Sequence, residues 1–151
     1  MLRVEDYVRQ AELNSQFLPQ VSPERFDWQI TVCFYAALHW LNAVTRRLGK
    51  LEAQNHEQTF NNVREAHIPH PVRQAYEDLF DLSIYARYRC MQLEDVKELA
   101  EAAKDLLEEI LTLEHPTVVV IDGRNVSGKT TFAERFTPFP NTSLVHTDDV
   151  A

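Results

Sequence analysis

The residues best equipped for chemistry stand near the C-terminus. Gly123 to Thr130 read GRNVSGKT: a glycine, four residues, a second glycine, then a lysine and a hydroxyl residue. This is the spacing of a phosphate-binding loop. Lacking a Cβ, Gly123 and Gly128 let the backbone wrap closely around phosphate oxygens. The loop N–H groups and the start of the following helix offer partial positive charge to an anion. Lys129 would reach the β- and γ-phosphates, and the Thr130 hydroxyl would bind Mg²⁺. The predicted ligand is therefore ATP with Mg²⁺, provided the P-loop domain is complete. The predicted nucleotide-binding set is Gly123, Arg124, Asn125, Val126, Ser127, Gly128, Lys129, Thr130 and Thr131, with Thr130 as the metal-binding residue.

The elements that must hold this loop are legible on both sides of it. Val118, Val119, Val120 and Ile121 form a short, β-branched apolar run of the kind that makes a buried parallel strand. After the loop, TTFAERF (130–136) reads as the start of a helix. Strand, glycine loop and helix in that order are the context the motif requires.

Upstream the pattern changes. Residues 4–18 read as a short amphipathic helix with Val4, Tyr7, Val8, Ala11, Phe17 and Leu18 inward, ended by Pro19. Ser22 and Pro23 fit the N-cap and first residue of a second helix running to about Leu48, with Gly49 as its C-terminal cap. Ile30, Phe34, Ala37, Leu38, Leu41, Val44 and Leu48 recur on one side of this helix at three- and four-residue steps. Trp28, Val32, Tyr35 and His39 make an aromatic stripe beside them, so the helix is apolar over more than half its circumference and predicts several neighbours. Asn55 to His67 is a weaker helix anchored by Phe60 and Val63, after which Pro69 and Pro71 break the pattern. Residues 72–90 form the next helix, with Val72, Ala75, Tyr76, Leu79, Phe80, Leu82, Ser83 and Ala86 inward. Leu93 to Leu113 is the clearest helix. Its apolar stripe (Leu93, Val96, Leu99, Ala100, Ala103, Leu106, Leu107, Ile110, Leu111) faces away from an acidic side that reads as solvated.

The expected fold class is mainly α: residues 1–114 as an antiparallel bundle of four to five helices, then residues 117–151 as an incomplete β-loop-α fragment. The boundary falls at Glu114, His115 and Pro116, where the period changes from 3.6 to a continuous apolar run.

A net charge of −8 argues against nonspecific nucleic-acid binding. Cys33 and Cys90 have no metal-ligand spacing and are expected as reduced thiols of a cytoplasmic protein. No apolar run approaches the length of a membrane span, and MLRVEDYVRQ is too polar for a signal peptide. The surplus aromatic surface of Trp28, Tyr35, Trp40 and Tyr88 predicts a homodimer.

Two family resemblances add to this reading. DWQITVCFYAALHWLNA (27–43), NHE (55–57) and YEDLFDLSIYARY (76–88), with the long final helix, resemble the HEPN superfamily of small helical domains over roughly residues 20–113. That resemblance implies dimerisation through the helices. As an alternative function it implies a ribonuclease of a toxin-antitoxin or defence-like system, with RNA as partner, acting through an Arg-x(4–6)-His motif. The chain departs from the motif where it would be sought, at Ala86–Tyr88, because no histidine follows before His115. A literal match exists at Arg64 and His70, across the proline-broken connection. His39, in the aromatic stripe, fits a core or interface histidine.

VVVIDGRNVSGKTTFAERF and LVHTDDVA resemble the opening of the uridine kinase-like branch of P-loop kinases. This implies that Asp149, or else Asp148, after a short strand at 143–146, positions the acceptor hydroxyl or the metal. A complete kinase domain has several more parallel strands. Residues 117–151 are therefore expected to be a truncated front, unable to catalyse phosphoryl transfer unaided.

Overall fold

The computed structural model describes residues 2–89 and 93–113, with side chains from residue 97 onward in the last helix. The predicted strand, phosphate loop, Asp148, Asp149 and Cys90 lie outside these residues. Among the described residues all regular structure is helical: α1 Val4–Phe17, α2 Phe26–Arg47, α3 His56–Glu65, α4 His70–Tyr88 and α5 Leu93–Leu111, with a short 3-10 turn at Leu18–Gln20.

Helix α2 is the axis on which the others pack, and α1, α3, α4 and α5 all touch it. Its predicted core stripe holds: Ile30, Phe34, Ala37 and Leu41 are completely buried and Val44 nearly so. The Tyr7 hydroxyl at the start of α1 donates to Glu52 beyond the end of α2, so α1 runs antiparallel to α2. Cys33 lies near Glu101 and Lys104, while the Trp40 indole donates to the Leu113 carbonyl. Helix α5 therefore runs parallel to α2, and α4 returns between them, packed on both. The aromatic centre is the Phe34 ring stacked on Tyr76 at 6.1 Å, with Phe60 5.0 Å from Tyr76 and 5.3 Å from Phe80.

The helix ends follow local chemistry. Gly49 has φ 81°. Its N–H donates to the Arg46 carbonyl and that of Lys50 to the Thr45 carbonyl, a Schellman closure that satisfies the last carbonyls of α2 as predicted. His67 ends α3 in the same way, at φ 54°, with its N–H on Arg64 and that of Ile68 on Val63. At the other end of α3, Asn55 caps the helix by accepting from the Gln58 N–H.

Three expectations need correction. Helix α2 starts at Phe26 rather than Pro23. The Ser22 carbonyl is taken by the Arg25 N–H at 2.9 Å and the Gln29 side chain at 3.2 Å, which closes a turn before the helix. The helical pattern does break between α3 and α4, but α4 begins at His70 rather than at residue 72, with Pro71 in its first turn, where the missing N–H has no helical partner to lose. Of the residues predicted inward on α1, Phe17 is half exposed, because it lies at the end of a helix whose main contact is α2 alone. No described helix is long and apolar enough to cross a membrane.

Candidate functional site

The aromatic stripe of α2 closes into the core only in part: Val32 is buried, but the rings of Trp28 and Tyr35 are not. Trp28 is 52% exposed and Tyr35 37% exposed, and on α4 Tyr85 and Tyr88 are 38% and 73% exposed. Trp40, predicted to join them, is instead half-buried, with its indole N–H on Leu113.

Arg87 ties the two helices together. Its guanidinium lies 5.4 Å from the Phe34 ring centre, 5.8 Å from that of Tyr35 and 5.5 Å from that of Tyr88. It donates to the Ser83 carbonyl (3.0 Å), the Ser83 hydroxyl (3.1 Å) and the Tyr35 hydroxyl (3.4 Å). The planar fork is thus held by hydrogen bonds in its plane and by rings on its faces, an arrangement a lysine could not reproduce. Arg89 stacks on Tyr85 at 5.3 Å, and Arg25 lies 6.0 Å from the Trp28 ring centre. Arg25 is paired with Asp27. Arg87 and Arg89 have no carboxylate ion pair among the described residues. The result is a surface cluster in which Arg87 joins Tyr35 and Tyr88, with Arg89–Tyr85 and Arg25–Trp28 as separate ring–guanidinium pairs, all of residue types that anchor protein interfaces.

Next to it, His56 opens α3 with its ring 5.4 Å from Phe34 and 5.2 Å from Phe80. Burial, and then the positive charge of Arg87, hold its pKa below the ordinary histidine value. His56 forms one wall of an open groove of about 630 Å³ that Phe60, Phe80, Arg64 and the acids Glu57, Glu77 and Asp81 also line. His39 sits between Tyr7 (6.3 Å) and Tyr35 (6.5 Å). Its Nδ1 is buried without a hydrogen-bond partner among the described residues, and burial lowers its pKa. It is therefore a neutral packing group at neutral pH, as the stripe implied.

The literal Arg-x(4–6)-His match is not assembled into one site. Arg64 lines the α3–α4 groove, whereas His70 lines a separate groove between α4 and α5 with Asp78, Asp105 and Glu109. No described group of histidine, cysteine and carboxylate side chains could hold a metal ion. Cys33 is fully buried and burial pushes its thiol up to about 12, so it is an unreactive core residue. The predicted nucleotide set Gly123–Thr131 and Asp148 and Asp149 lie outside the described residues.

Sequence reasoning undervalued Arg87, Tyr85 and Arg89. The available signal was the run YARYR, in which arginines alternate with aromatics at the end of a helix. Comparisons with protein-family models, with curated proteins and with solved structures find no match.

Proposed function

We propose that the helical unit is a self-association module, HEPN-like in pattern, joined to the phosphate-binding front of a uridine kinase-like ATP-binding domain. The module itself carries no catalysis. The observation that carries this reading is the exposure of Trp28, Tyr35, Tyr85 and Tyr88, with Arg87 against Tyr35 and Tyr88 and Arg89 against Tyr85. Large rings and guanidinium groups left uncovered among the described residues are what association covers most favourably. The motif GRNVSGKT supports the nucleotide half. Lys129 and Thr130 would take ATP and Mg²⁺, and Asp149 or Asp148 would serve acceptor or metal in a complete domain. The ribonuclease alternative loses support from the separation of Arg64 and His70 into different grooves.

Light scattering on the full chain tests the module: a dimer at concentrations on the order of tens of micromolar is expected, and a monomer throughout overturns the reading. Labelled ATP titrated against the same chain and against Lys129→Ala tests the loop. Weak binding or none is the expected result, and micromolar binding that Lys129→Ala removes would show instead that the loop already works as a site.

A further inference from the structure

The inward side of α4 is Val72, Ala75, Tyr76, Leu79 and Ser83. Opposite them, Glu77, Asp81, Tyr85 and Arg89 follow one another at four-residue steps and all are exposed. Residues four apart form one ridge of a helix surface, the kind that packs into the groove of a facing helix. Arg89 is the C-cap residue, but its guanidinium lies 5.3 Å from the Tyr85 ring centre, which keeps it on the ridge. Charge reverses along the ridge: two carboxylates, a tyrosine, then a guanidinium. None of the three charged residues has an ion pair among the described residues.

We infer that this ridge docks against the same ridge of a second copy, antiparallel, with Tyr85 on the two-fold axis. The inference rests on the self-association reading and narrows it to the α4 ridge, which of the exposed rings holds Tyr85. Charge complementarity selects the occupant. A polyanion such as RNA would satisfy Arg89 and be repelled by Glu77 and Asp81. A basic peptide would satisfy the acids and be repelled by Arg89. A helix carrying the reverse order satisfies both ends, and an antiparallel copy of α4 presents that order. Centring the axis on Tyr85 places Asp81 four residues to one side and Arg89 four to the other. Each Asp81 then faces the partner's Arg89, and the pair occurs twice by symmetry. The two Tyr85 rings meet at the centre, where an aromatic pair contributes most. A parallel arrangement would set acid against acid and arginine against arginine, so the same charges also exclude the wrong orientation.

The test is sedimentation equilibrium on the full chain at low salt, with Asp81→Arg, Arg89→Asp, their equimolar mixture and the double swap, each checked for helix content by circular dichroism. Both sites are exposed, so the variants should keep the fold. Each single variant alone places like charges at both contacts and should weaken the dimer by about tenfold or more. The mixture restores two opposite pairs and should recover dimers, as should the double swap. Dimers that persist undiminished in both single variants would place self-association on another surface and overturn this inference while leaving the module reading intact. Failure of the mixture and the double swap to recover would also overturn it. A monomeric wild-type chain would overturn both, and RNA binding lost in Arg89→Asp would replace the second copy with a polyanion.

Discussion

Ile30, Phe34, Ala37 and Leu41 follow one side of α2 and are completely buried, whereas Trp28 and Tyr35, only one or two places away in sequence, remain partly in water. Both stripes are apolar, both recur at helical spacing, and hydrophobicity does not separate them. What separates them is the number of neighbours available. The buried stripe is covered by α4 and α5 together, which pack on α2 and on each other. The aromatic stripe faces the edge where α1 and the end of α4 pass, and these leave the rings partly uncovered. An apolar helix face is thus a demand for cover, and the chain can meet that demand from itself or from a partner.

The largest effect should come from crossing this divide. Leu41→Ala removes a fully buried side chain and is expected to destabilise the fold by about 3 kcal/mol, measured by urea unfolding. Trp28→Ala, although it deletes a larger side chain, should cost less than about 1 kcal/mol because half of the ring already meets water. Equal losses at the two positions would mean that the stripes do not differ as described.

A smaller effect is expected at the residue that joins the stripes. Arg87→Lys keeps the charge but loses the planar fork across Phe34, Tyr35 and Tyr88, and should cost about 1 kcal/mol. A substitution without effect on the unfolding midpoint would show that the stacked guanidinium is incidental.

The smallest concerns protons. His39 and His56 both have pKa values lowered by burial, with Arg87 adding to the effect at His56. The unfolded chain then binds more protons than the folded one between the lowered values and the ordinary value of 6.5. Their contribution is complete above that ordinary value and is lost as pH falls through the folded values. Melting temperature should therefore decline on acidification through this window, and His39→Gln should flatten part of the decline. A decline identical in the variant would assign the protons elsewhere.

How much of this could be read in advance depends on whether the cause is local. The stripe of α5 was legible because Ala100, Ala103, Leu107 and Ile110 recur with the helix period, and all four are buried. Gly49 was legible because a left-handed closure favours glycine over any other residue. His67, at φ 54° in the same kind of closure, gave no such signal, since nothing in a histidine announces that conformation. The start of α4 was misjudged because a proline breaks a helix interior yet suits a first turn, and only the path of the chain decides which applies.

The amino-acid sequence by itself determined the helices and most of their inward faces, because periodicity and capping act over a few residues. Tertiary structure decided the rest within the helical unit. It covered one stripe of α2 and left the other partly bare, and it brought Arg87 from α4 onto Phe34 and Tyr35 across 52 residues of chain. It also sent Arg64 and His70 to different grooves although only five residues separate them. These are questions of which surfaces meet, and the number of helices competing to cover a given face is not written in that face.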